Sequence, residues 1–140
     1  MGIFSTLRIS GSALTAERLR MDTIANNLAN ATSTRTAEGG PYQRQVPVFA
    51  PRTAVRPDRL GFQGAGVQVM GINVDPSPPR LVYEPGHPDA NPAGYVAYPN
   101  VNVVTEMVDM ISATRAYEAN ITVINSSRNM AIKALEIGRG

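Results

Sequence analysis

Apolar residues recur in steps of three and four at both ends of the chain, and the irregular part lies between them. From Met107 the stripe runs Met107, Met110, Thr114, Tyr117, Ile121, Ile124, Arg128, Ala131 and Leu135, and seven of these nine positions are apolar. No proline or glycine interrupts Val101 to Ile137. The spacing predicts one long helix with a coiled-coil-like seam. Asn102 is the expected N-cap, Glu106 suits the positive end of the dipole, and Gly138 is the expected stop. At 1.5 Å per residue such a helix is roughly 50 Å long, more than a compact domain of this size covers, so it needs a partner.

The partner stripe is at the other terminus. Ile3, Leu7, Ser10, Leu14, Glu17, Met21, Ile24, Leu28 and Ala31 again give seven apolar positions of nine, with Gly11 costing about 1 kcal/mol relative to alanine. An ordinary amphipathic helix on a globular core shares this periodicity, but two long seams flanking an irregular middle favour a helical hairpin with an insert. The expected architecture is mainly α with a small β-rich insert: a helix over residues 1–31, an insert over 32–100 and a helix over 101–140, the helices paired antiparallel. Each seam holds one charge, Glu17 and Arg128, and a complementary pair can specify register. Glu17 opposite Arg128 places Leu14 against Ala131, Met21 against Ile124, Ile24 against Ile121 and Leu28 against Tyr117, each an apolar pair. The alternative leaves both charges snorkelling at the seam's edge.

The first helix ends in Ala25-Asn26-Asn27-Leu28-Ala29-Asn30, where asparagine displaces good helix formers. Asn26, Asn27 and Asn30 read either as a polar helix end or as a hydrogen-bonding surface that fixes one chain against a neighbour. All eleven prolines fall between Arg35 and Asn100. Val46-Pro47-Val48-Phe49 is a short extended piece suited to an edge, and Gly66 to Val74 is the best strand, with a bulge or bend expected at Met70-Gly71. Leu81-Val82-Tyr83 and Tyr95-Val96-Ala97-Tyr98 are further strands flanking a turn-rich loop at Glu84–Asp89.

At 140 residues the chain has one domain's worth of sequence, and a net charge of +2 makes no electrostatic case for nucleic acid. The absence of cysteine excludes disulfides, thiolate metal sites and a cysteine nucleophile. No run reaches the roughly 20 apolar residues of a membrane span, so direct membrane insertion is not expected, and no cleaved signal peptide is visible. The one histidine, His87, lies near Glu84 and Asp89, but without a second histidine or ligand spacing a polar turn accounts for it better than a metal site. Gly64-Ala65-Gly66 lacks the third glycine of a phosphate loop and reads as a turn. Ser12 and Ser33 have no nucleophile-elbow context. Arg35, Arg44, Arg52, Arg56 and Arg59, against Glu38 and Asp58, read as a solvated surface, with contact to an acidic partner as the second reading. No active site, metal or cofactor is expected.

Ala25-Asn26-Asn27-Leu28-Ala29-Asn30 resembles the N-terminal signature of flagellar axial proteins, the rod and hook family. Val101 to Ile111, followed by Arg115-Ala116-Tyr117-Glu118-Ala119-Asn120, resembles that family's C-terminal signature. Most members continue the first signature with a Thr-Pro-Gly-Tyr type turn. Here Ser33-Thr34-Arg35-Thr36 and Gly39-Gly40-Pro41-Tyr42 stand instead, similar to a short proximal-rod branch, as are Asp75-Pro76-Ser77-Pro78 and Leu81 to Asp89. The resemblance implies a structural subunit of the basal-body rod, exported by the flagellar type III apparatus without cleavage and assembled in the periplasm. Implied neighbours are FlgB, FlgF, FlgG, the adaptor FliE and further copies of the chain. The terminal helices would line the export channel as a coiled-coil layer, with Asn26, Asn27, Leu28, Asn30, Met107, Met110, Ile111, Tyr117, Asn120, Ile121 and Ile124 as the assembly positions. Repetition of a heterologous contact would then build a torque-bearing helical tube. A soluble helical-hairpin adaptor binding a single protein partner is the alternative reading.

Overall fold

The computed structural model describes residues 3–53 and 64–138. Six elements follow in order: α1 (Ile3–Ala29), β1 (Gln45–Thr53), β2 (Gly64–Val74), β3 (Arg80–Tyr83), β4 (Tyr95–Tyr98) and α2 (Val103–Ile137). The two helices pack against each other, and two antiparallel two-stranded sheets, β1–β2 and β3–β4, lie between them in the chain. The expected architecture of paired terminal helices around a β-rich middle is the one found.

Local chemistry sets these boundaries. Asn102 caps α2 as expected, its Oδ1 accepting from the backbone N–H groups of Val104 and Thr105 at 3.0 and 3.2 Å. Gly138 is the C-cap but keeps right-handed φ, −73°, so the helix ends without a left-handed glycine. The irregularity expected at Met70-Gly71 is present: Val48 pairs with Gly71 and Phe49 with Val69, leaving Met70 as the extra residue. β1 tolerates Pro47 and Pro51 because each strand of a two-stranded sheet has an open edge. β3 and β4 pair from Arg80–Tyr98 to Tyr83–Tyr95, with Val96 buried and Val82 half-buried on one face and Leu81, Tyr83 and Tyr95 exposed on the other.

The β1–β2 hairpin packs on α1. Gly64-Ala65-Gly66, expected as a turn, opens β2 instead, and Gly66 has φ +102°. A Cβ there would lie 2.2 Å from Ser12 Oγ, so only glycine allows the strand to approach the helix this closely. Ser12 Oγ accepts from Val67 N–H at 3.1 Å and donates to Ile9 O at 2.7 Å.

The helices are antiparallel, but not in the expected register. Asn27 meets Glu106 at 3.0 Å, and Met21 Sδ lies 3.6 Å from Thr114 Oγ1. Met21 therefore faces Thr114 rather than Ile124, a displacement of ten residues, or roughly 15 Å along α2. Glu17 turns to Arg20 of its own helix at 3.8 Å, and Arg128 is exposed. The inward stripe of α2 is also shifted by one residue at alternate positions. Glu106, Ala113 and Ser127 are buried, with Met110, Tyr117, Asn120, Ile124 and Ala131 half-buried. Met107, Ile121 and Leu135, expected in the seam, are exposed by 54%, 37% and 71%. The fully buried layers of α2 are thus short or polar, and several large apolar residues of the helix are turned outward.

Candidate functional site

The elements converge at the base of the helix pair, where the end of α1, the start of β1, the end of β2 and the first turn of α2 meet. Glu106 is fully buried there. Its Oε2 accepts from Asn27 Nδ2 at 3.0 Å and its Oε1 from Arg44 Nε at 2.6 Å. Asn27, 1% exposed, spends its whole hydrogen-bonding capacity inside the chain. Its Nδ2 also donates to Gln45 O at 2.8 Å, while its Oδ1 accepts from Gln45 N–H at 2.9 Å and Tyr42 O–H at 2.8 Å. A buried carboxylate is tolerable only when paired and hydrogen-bonded in this way.

Arg44 extends the cluster. Its Nη1 and Nη2 lie 3.7 Å from Asp75 and Asp109, respectively, and its backbone N–H donates to Asn100 Oδ1 at 2.8 Å. Asn100 Nδ2 in turn donates to Asp75 O and Ser77 O. Burial pulls the Arg44 guanidinium down most, but the hydrogen bond to Glu106 and the charges of Glu106, Asp75 and Asp109 together hold it above its ordinary value. The Asp75 carboxyl is held below the usual range, first by its bonds from the Ser77 hydroxyl and N–H and then by Arg44. Partial burial and then the negative charge of Glu106 push the Tyr42 phenol up, against the hydrogen bond from Asn26.

Asn27 and Asn30 make their hydrogen bonds within the chain. Asn30 Nδ2 donates back to Asn26 Oδ1 and O, and its own Oδ1 accepts from Ser33. Asn26 is exposed, with Nδ2 near Tyr42 and Gln45 at 3.2 and 3.3 Å. Leu28 is half-buried, and Asn120 donates to Ala116 O of its own helix. Met107, Ile111 and Ile121 face outward, while Met110, Tyr117 and Ile124 are half-buried against α1.

The basic run divides. Arg44 turns inward, Arg52 is exposed, and Arg35 is mostly exposed at 3.8 Å from Asp89; Arg56, Asp58 and Arg59 lie outside the described residues. Sequence reasoning placed Arg44 in solvent and Glu106 at a dipole. The signal that could have joined them is a carboxylate on the inward side of a first turn, where only a cation or amide can meet it. His87 sits in its turn, with Nδ1 accepting from Asp89 N–H at 3.1 Å and the ring 6.3 Å from that of Tyr98. The Tyr98 phenol is raised by its hydrogen bond to Glu84.

What remains outside is apolar. Val104, Met107, Val108 and Ile111 stand 54–71% exposed at helical spacing on the first turns of α2, and Met130, Leu135 and Ile137 are 58–82% exposed near its end. Such surfaces are the mark of protein–protein contact.

The family model described as "Flagella basal body rod protein" matches residues 7–35, and that described as "Flagellar basal body rod FlgEFG protein C-terminal" matches residues 93–137. The two matches cover most of α1 with the asparagine cluster, and β4 with α2. The chain is 51% identical to the flagellar basal-body rod protein FlgC of Borreliella burgdorferi, over 100% of both chains. Identity to FlgC of Bacillus subtilis is 44% and to FlgC of Yersinia enterocolitica 42%, each over 99% of this chain and 100% of the relative. With the shared signatures meeting at one buried joint and the likeness running end to end, the chain belongs to the FlgC family of flagellar basal-body rod proteins.

Proposed function

We propose that this chain is a structural, non-catalytic subunit of the flagellar basal-body rod that assembles through the outward faces of its paired helices into a torque-bearing helical tube. The observation that carries this is the helix pair itself: the fully buried residues of α2 are Glu106, Ala113 and Ser127, while Val104, Met107, Val108, Ile111, Met130, Leu135 and Ile137 stand exposed. The chain exposes 10038 Å², whereas a compact 15.0 kDa monomer exposes about 7,000 Å². The excess is several times the roughly 800 Å² that one partner buries in a standard interface. Apolar side chains also project from β2, β3 and both ends of α2, which favours several neighbours over the single partner of a soluble adaptor.

In this reading the neighbours are further copies together with FlgB, FlgF, FlgG and FliE. The subunit reaches the periplasmic part of the basal body through the flagellar type III apparatus. Residues 1–31 and 101–140 form the inner layer around the export channel, and residues 32–100 form the outer part of the subunit. Asn26, Met107, Ile111 and Ile121 are the assembly positions available to a neighbour. Met110, Tyr117, Asn120 and Ile124 hold the pair that presents them.

A Met107→Glu/Ile111→Glu variant tests the reading, because both side chains face outward and their loss disturbs little within the chain. Expressed in place of the native copy, it should yield a helical, soluble subunit and non-motile cells, with basal bodies lacking the rod beyond it. Normal motility would reject the assembly surface. A finite complex with one protein and no rod defect would favour the adaptor.

A further inference from the structure

We propose that the Asn27–Arg44–Glu106 cluster selects the register of the helix pair, and that the rest of the seam does not. Away from the base, the seam is built of residues that one layer can exchange for another. Ser10, Ala113 and Ser127 are buried, and Asn120 is half-buried and bonded to its own helix. Between these layers stand Met110, Tyr117 and Ile124, half-buried and also one heptad apart, while Met107, Ile111 and Ile121 are turned outward. A slide by one heptad, roughly 10 Å, would replace small or polar residues by small or polar ones and apolar residues by apolar ones, and leave little to distinguish the two arrangements.

The cluster does distinguish them. Glu106 is 0% exposed, and its two oxygens are matched by one amide from α1 and one guanidinium from β1. Asn27 is matched at every donor and acceptor it has. Any displacement strands a buried carboxylate and a buried amide together. The ion pair between the helices, Arg20 with Asp109 at 3.6 Å, is about one-third exposed on each side and tolerates displacement through water. A single polar contact sets register at some cost in stability in coiled coils, and this cluster has that character with a third element bound in. Because Arg44 belongs to β1, the same cluster also fixes where the insert stands relative to the outward faces.

Engineered disulfides in the purified full chain read the register directly, since the sequence contains no cysteine. Met21→Cys with Thr114→Cys reports the observed register, the two native side chains being 3.6 Å apart. Met21→Cys with Met107→Cys or with Ile121→Cys reports a slide of one heptad, positions otherwise beyond the roughly 7 Å Cα separation a disulfide spans. With the cluster intact, only the first pair should cross-link efficiently. An Asn27→Leu/Arg44→Met/Glu106→Leu background should keep its helix content, yet raise cross-linking at 107 or 121 several-fold. Cross-linking still confined to 114 in that background would overturn the proposal. If the triple variant loses its helices, Glu106→Gln decides, since it keeps the size and an acceptor but loses the charge. A several-fold rise at 107 or 121 supports the assignment, and an unchanged pattern rejects it.

Discussion

Glu106 shows how one side chain can carry a molecule's geometry without touching any partner molecule. The carboxylate holds an amide from α1 and a guanidinium from β1 at once, and removing it leaves both facing a void. Glu106→Ala should therefore cost about 3 kcal/mol, the low end for breaking a buried ion pair because Arg44 keeps some access to water. Urea denaturation of the purified chain, followed by far-UV circular dichroism, measures this. Glu118→Ala, on the exposed face of α2, should stay within about 0.5 kcal/mol of the parent chain. Equal losses in the two variants would show that Glu106 is no keystone. Periodicity could not have found this residue, because hydrophobic patterning treats an inward charge as a break in the stripe. Glu17 and Arg128 looked like the natural pair for the same reason: they were the charges that fell on the expected seam.

Among the elements, the strands show best what was readable in advance. Proline, glycine and alternating valine located β1 and β2, and the Met70-Gly71 irregularity was visible as a change of parity. Helix ends were readable too, because Asn102 caps by its own side chain. The docking of β2 on α1 was not, since Ser12 and Gly66, 54 residues apart, carry no periodic signal. Gly66→Ala tests that contact. Its new methyl group meets Ser12 Oγ, and φ of +102° strains any L side chain, at about 1–3 kcal/mol. Hydrogen exchange at the Val67 amide should accelerate markedly. Adding Ser12→Ala should not slow it again, because the acceptor is then gone. Gly86→Ala, which meets nothing within 4 Å, should leave that amide unchanged. An unaltered Val67 in Gly66→Ala would mean that the hairpin is held elsewhere.

For the whole molecule, stability is graded along the helix pair. The buried cluster closes the base, while past Ala131 nothing among the described residues covers α2. Helices of this kind draw most of their stability from tertiary packing. In a dilute monomer, exchange protection should peak around Ile24–Asn27 and Glu106–Ala113 and fall toward Ser10 and beyond Ser127, with the ends gaining protection on assembly. Uniform protection along both helices of the monomer would contradict this. The outward apolar face also bears on time as well as shape. In most proteins folding hides the adhesive surface, so a finished molecule can wait. Here Val104, Met107, Val108 and Ile111 stay on the outside of the finished fold, and folding alone does not end the hazard of premature association. Such a subunit is safest when its interval between synthesis and placement is short, which makes delivery rate, rather than fold stability, the variable that decides how much of it is lost to aggregation.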